Sequence, residues 1–222
     1  MDRKVRTPIV VEPYKFSWVE VELPDLQPHE IMVRVKACSI CGSDLHVYKG
    51  LHPYAPLPAC TGHELAGDVV EVGRAVTRVK SGDRVALLRG GGTWSYRLAG
   101  RDVARFPSGF TEYIPGQEDR AFKIPEHVSY DEGSCMEPLA VAVHAVKRSK
   151  LGLGDSTAVL GAGPIGLMTL QVARAAGSTR TLVTETVDYR RRLAKELGAD
   201  EIVDPGREEP VGKVMVLSLI HI

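Results

Sequence analysis

A barrel-like β domain followed by parallel βαβ units is the fold class that this sequence predicts, and three observations carry it. Up to about residue 150, β-branched residues fall in short runs divided by turn residues, without regular helices between the strands. Beyond that point short apolar strands alternate with helical periods. The glycine-bearing stretch Ser149 to Gly154 separates the two regimes, giving a first domain of residues 1–150 and a second of residues 151–222.

In the first domain the predicted strands are Ile9-Val10-Val11, Ser17 to Leu23, Glu30 to Cys38, Gly67 to Val72 and Arg84 to Leu88. Pro-Asp, Pro-His and Ser-Gly-Asp turn signals divide them. A helical period with Ala, Leu and Val on one face runs from Tyr130 to Val146. The second domain reads as strand Asp155 to Leu160, helix Pro164 to Ala176, strand Thr181 to Glu185 and helix Tyr189 to Leu197. A third strand at Glu201-Ile202-Val203 and the start of a helix over Val211 to Leu217 follow. No internal repeat or low-complexity tract interrupts this order.

Composition excludes several function classes. The 28 basic and 28 acidic side chains cancel, which removes the net field that nucleic acid or an anionic membrane surface would exploit. Arg3-Lys4-Arg6 reads as a solvated end. No apolar segment follows Met1, so no signal peptide is expected. The uncharged run Ser156 to Ala173 approaches the length of a membrane span, but Gly161, Gly163, Pro164 and Gly166 fit a strand–turn–helix better. Cys38, Cys41, Cys60 and Cys135 are too few and too scattered for a disulfide scaffold, so the cytoplasm is the expected compartment.

Gly161-Ala162-Gly163-Pro164-Ile165-Gly166 fits G-x-G-x-x-G between a strand and a helix. The first glycine permits the tight turn, the second lets backbone approach a pyrophosphate, and the third lets helix and strand pack closely. Glu185 closes the next strand, where a carboxylate can accept the hydroxyls of an adenosine ribose and repel a 2′-phosphate. NAD is therefore expected rather than NADP. Arg190 to Arg192 complicate that choice: a nearby arginine can hold a 2′-phosphate, while the alternative puts all three on the exposed face of the following helix.

Cys41, His63 and Glu64 offer a thiolate, an imidazole and a carboxylate, each a zinc ligand by chemistry. Singly, each has a plain alternative: a small buried hydrophobe, a core histidine, a surface acid. Their setting argues otherwise. Cys41 opens Cys41-Gly42-Ser43-Asp44-Leu45-His46, and the other two stand in Gly62-His63-Glu64-x-x-Gly67-x5-Gly73-x2-Val76. With Gly82-Asp83-Arg84-Val85 and Glu137-Pro138-Leu139, these motifs resemble the zinc-dependent alcohol dehydrogenases of the medium-chain dehydrogenase/reductase superfamily, from about residue 8 to about residue 217. Within it the chain is most similar to sorbitol (polyol) dehydrogenases, with threonine dehydrogenases next.

The resemblance implies a GroES-like β-barrel catalytic domain followed by an incomplete Rossmann parallel sheet. It implies one catalytic zinc held by Cys41, His63 and Glu64, with Glu137 binding directly or through water; a carboxylate at a helix N-terminus is the other reading of Glu137. It implies NAD-linked oxidation of a secondary alcohol, with Ser43 taking the hydroxyl proton and His46 passing it on, and a homo-oligomer at full length. Ser43 and His46 as simple loop hydrogen bonders remain the alternative, and Asp44 is expected to tie the loop together. Cys38, His52, His127 and His144 read as structural or exposed. A threonine or other secondary alcohol dehydrogenase, and in another class a non-catalytic nucleotide-binding protein, are the competing functions.

Three departures from the family stand out. The frame in which relatives carry a structural zinc falls on Gly91, Trp94, Arg97 and Arg105, so no structural zinc is expected. The connection from Arg105 to Gly109-Phe110-Thr111-Glu112-Tyr113 is also shorter than usual, which softens the substrate assignment. Val216-Leu217-Ser218-Leu219-Ile220-His221-Ile222 does not match the family, whose members continue further. The expectation is a truncated product with an unpaired sheet edge, poor solubility and little activity.

Overall fold

The computed structural model describes residues 4–23, 25–88, 97–98, 101–102 and 108–217. Of the four structural-zinc positions, Gly91, Trp94 and Arg105 lie outside these, as do most of the short connection from Arg105 and the tail beyond 217. The chain divides into two compact units, Met1–Glu137 and Pro138–Ile222.

In the first unit β1 (Lys4–Glu12) and β2 (Lys15–Glu22) form an antiparallel hairpin. A five-stranded antiparallel sheet follows in the order β8-β3-β4-β5-β9, built from β3 (Glu30–Ser39), β4 (Glu64–Val72), β5 (Arg84–Leu88), β8 (Tyr113–Gln117) and β9 (Ala121–Lys123). Two-residue strands β6 (Arg97–Leu98) and β7 (Arg101–Asp102) pair separately. Alternation explains the packing of β3. Ile31 and Val33 enter a core with Leu65, Val69, Val85, Leu87 and Ile114, while Met32 joins Val5 and Leu23 in another cluster. Burying each of these large side chains contributes about 1.5–3 kcal/mol, which makes the register costly to shift.

Three local differences from the sequence reading have physical causes. β4 begins at Glu64 rather than Gly67, because Glu64, Leu65 and Ala66 pair with β3 on one side and β5 on the other. Glu and Ala read alone favour strands little, and pairing on both sides overrides that. Helix α1 (Gly42–Tyr48) was not expected: seven residues are too few to show a period. The single helical period from Tyr130 is two helices, α2 (Tyr130–Ser134) and α3 (Met136–Ser149). Pro138 has no N–H to offer the Ser134 carbonyl, so the ladder breaks near Cys135.

In the second unit β10 (Ser156–Leu160), β11 (Arg180–Thr184) and β12 (Glu201–Val203) form a parallel sheet in that order. Helices α4 (Pro164–Ala175) and α5 (Asp188–Glu196) are the crossovers, and α6 (Pro210–Leu217) follows. Val159, Ala162, Leu170, Val183, Ala194 and Ala199 form its core. The sequence reading located these strands and helices to within a residue or two. No helix among the described residues is long and apolar enough to cross a membrane.

Candidate functional site

The sheet of the first unit brings three strand ends together. Glu64, first in β4, pairs with Ser39 at the end of β3 and with Leu88 at the end of β5. Cys41 stands two residues beyond β3, and His63 precedes Glu64. Cys41 Sγ, a ring nitrogen of His63 and a carboxylate oxygen of Glu64 consequently lie within 4.8 Å of one another. Ligand atoms around a tetrahedral zinc stand about 3.3–3.8 Å apart for ordinary bond lengths, so small side-chain adjustments close this set on an ion. One soft, one borderline and one hard donor, which leave a fourth tetrahedral position unfilled by the three, suit a catalytic zinc.

Asp44 joins the two segments that carry these three donors. Its Oδ2 accepts the Cys41 amide and its Oδ1 the Gly62 amide, both at 2.9 Å, and His63 Nδ1 lies 3.5 Å from Oδ1. The first of these bonds closes a capping box at the start of α1. The Asp44 carboxyl titrates low: burial works against its charge, but His63 and the amides of Gly62 and Cys41 outweigh that. The His63 imidazole is pushed up to about 9, chiefly by the Asp44 carboxylate and against the effect of burial, with Cys41 adding. Glu64 is raised by burial and by the nearby Glu137 charge, with Cys41 and His63 opposing.

A second layer holds the strand ends. Ser39 Oγ and Ser134 Oγ are 2.8 Å apart, linking the end of β3 to the end of α2. Arg84 donates to the carbonyls of Pro125, Glu126 and Val128 and lies over the Tyr130 ring at 4.4 Å. The Tyr130 hydroxyl in turn donates to Asp68, which also accepts from Arg34. Sequence reasoning missed the Ser39–Ser134 pair, since nothing in the local pattern relates residues so far apart.

Glu137, in the first turn of α3, lies outside the three-ligand group although its charge is felt at Glu64. Ser43 and His46 sit one turn apart on α1, Ser43 half-buried and His46 exposed. His127 and His144 are exposed, and the half-buried His52 ring meets Tyr54; none of the three joins the ligand group. Cys38 packs against the main core.

In the second unit Gly161, at φ +100°, turns the chain from β10 towards α4. A Cβ on Gly166 would stand 1.9 Å from the Gly161 carbonyl oxygen, so strand and helix meet as closely as backbone allows. Gly163 caps α4 and Pro164 follows, leaving the amides of Ile165 and Gly166 without helical acceptors. Glu185 reaches back to this turn: Oε2 accepts the Ala162 amide at 3.0 Å, and Oε1 accepts those of Thr186 and Val187 at 2.9 Å each. These bonds, the Val187 amide foremost, lower its pKa against burial, and Arg190 helps at 3.8 Å. Arg190 and Arg192 are exposed, whereas Arg191 is largely covered and binds the carbonyls of Glu185 and Thr186 and the Asp204 carboxylate.

The chain matches the alcohol dehydrogenase GroES-like domain over residues 27–126 and the zinc-binding dehydrogenase domain over residues 164–218. It is 40% identical over 210 residues to (R,R)-butanediol dehydrogenase of Bacillus subtilis, covering 86% of this chain and 60% of that protein. It is 42% identical over 187 residues to sorbitol dehydrogenase 2 of Saccharomyces cerevisiae, covering 78% and 52% respectively. The chain thus spans between half and two-thirds of these relatives' lengths. An alcohol dehydrogenase from Escherichia coli CFT073, solved in complex with NADH, superposes with a TM-score of 0.83 at 31% identity, covering 98% of this chain and 67% of that one.

Proposed function

The chain belongs to the zinc-dependent alcohol dehydrogenases of the medium-chain dehydrogenase/reductase superfamily, and we propose on that premise that it is a polyol dehydrogenase. It oxidises a secondary alcohol, one of a pair of adjacent hydroxyls, to the ketone and passes hydride to NAD. The convergence of Cys41, His63 and Glu64 carries the reading. Butanediol and sorbitol dehydrogenases among the relatives support a vicinal diol as substrate.

Residues 1–150 act as the catalytic domain and 151–222 as part of the nucleotide-binding domain. Cys41, His63 and Glu64 hold one zinc, with Glu137 as a fourth ligand directly or through water. Zinc held there would supply Lewis acidity towards the substrate hydroxyl, and NAD held by residues 151–222 would supply the hydride acceptor. Ser43 Oγ accepts the substrate hydroxyl proton as it gives up its own, and the exposed His46 ring, one turn along α1, passes a proton on towards solvent. Gly161, Gly163, Pro164, Ile165 and Gly166 bring backbone under the pyrophosphate. Glu185, held beside that turn through Ala162, retains lone pairs for the ribose hydroxyls and disfavours a 2′-phosphate, while Arg190 lines the rim. The working protein is a cytoplasmic homo-oligomer with one zinc per chain.

Initial rates with sorbitol, xylitol and butane-2,3-diol test the reading. Diol oxidation with NAD that is abolished in Cys41→Ser is expected. Turnover with NADP alone would overturn the cofactor assignment, and turnover of primary alcohols or threonine alone would overturn the substrate class.

A further inference from the structure

The ligand run Gly62-His63-Glu64 is gripped by a segment that none of the metal motifs includes. Ser108 Oγ donates to the Thr61 carbonyl at 2.9 Å, both residues being almost wholly buried. The Gly109 N–H is shared between the carbonyls of Thr61 and Gly62, each at 3.0 Å. The approach is backbone on backbone. A Cβ on Gly109 would stand 2.6 Å from the Gly62 carbonyl oxygen, 2.8 Å from its carbon and 3.1 Å from Cys38 Sγ. Gly62, at φ +83°, would set its own Cβ 2.9 Å from the Phe110 nitrogen. From the other direction Asp44 holds the Gly62 amide, so this peptide cannot slide away.

The atoms facing Gly109 belong to both ligand-bearing segments: Gly62 precedes His63, and Cys38 lies three residues before Cys41. We propose that Gly109 is a positioning residue for the zinc site. Its missing side chain lets residues 108–110 close on the Cys41 and His63–Glu64 segments and hold their donors within 4.8 Å of one another. The inference rests on the zinc reading above. Relieving the Gly62 contact needs a shift of roughly 0.8 Å to reach ordinary separation, and this adds to the adjustment that the three donors already make to reach zinc spacing. A methyl group at this position therefore disturbs metal binding before it disturbs the sheet.

The test is a Co2+ titration of the metal-free chain with chelator competition, recording the thiolate charge-transfer and d–d bands beside the urea midpoint. Gly109→Ala should lose about 10- to 100-fold in Co2+ affinity and show altered d–d bands. Ser108→Ala should lose less, in the same direction. Gly116→Ala is the control: the three atoms nearest its Cβ would all belong to the Leu87 side chain, from 2.8 Å, so stability should fall while affinity and spectrum stay. Wild-type affinity and spectrum in Gly109→Ala would overturn the inference, as would an affinity loss in Gly116→Ala that tracks stability equally. If Gly109→Ala does not fold, unchanged affinity in Ser108→Ala overturns it. A wild-type chain that takes up no Co2+ removes the zinc reading and this inference together.

Discussion

Asp44→Asn exchanges one oxygen for nitrogen at the junction of the two ligand-bearing segments. The wild-type carboxylate is 6% exposed and accepts two backbone amides at 2.9 Å, one from each segment, with the His63 ring beside it. Asparagine keeps one acceptor and turns an NH2 group towards the other amide, so a donor faces a donor. A hydrogen bond to a charged group contributes about 1.5–3 kcal/mol, and a buried amide left unpaired costs about 1–3 kcal/mol. The metal-free chain should therefore lose about 3 kcal/mol, taking the lower part of both ranges because the loop can relax. Zinc affinity should fall about 10- to 100-fold, as for other groups that orient a metal-binding histidine. Urea unfolding in chelator, followed by circular dichroism, measures the first effect, and chelator competition the second. An unchanged unfolding midpoint together with unchanged zinc affinity would refute the idea that Asp44 joins the segments.

Other expectations follow from single contacts. Gly163→Ala meets nothing within 4 Å and should cost no more than about 1 kcal/mol of stability as a poorer N-cap of α4, yet weaken NADH binding at least tenfold by fluorescence titration; unaltered binding would move the pyrophosphate elsewhere. Arg84→Lys replaces the planar fork whose two nitrogens span three carbonyls with one compact ammonium and should destabilise the first unit by about 1–3 kcal/mol in urea unfolding. Glu118 titrates at about 2 rather than 4.5, because His29 and the amides of Arg78 and Thr77 bind its carboxylate. A folded pKa below the unfolded one gives stability that is present above pH 4.5 and is lost as pH falls towards 2. Glu118→Gln should flatten that part of the stability–pH curve while lowering stability at neutral pH, and an unchanged acid limb would count against it.

The legible parts of the site were those that chemistry confines to a short stretch of chain. Gly161, Gly163 and Gly166 must share one turn, His63 and Glu64 are neighbours, and Asp44 lies three residues from the amide it caps. The periods of the second unit were long enough to read for the same reason. What stayed hidden depends on pairing between distant residues. The start of β4 is set by β3 and β5 together, Ser39 meets Ser134 across the fold, and Gly109 meets Gly62. The break before α3 was written locally, in Pro138, but the apolar periodicity around it masked the missing donor.

The central claim is that Cys41, His63 and Glu64 form one zinc site in this chain. Atomic emission on freshly purified protein, beside Cys41→Ser, tests it most directly. About one zinc per chain in the wild type, lost in the variant, is the expected result. No zinc in the wild type, or equal zinc in both proteins, would contradict it.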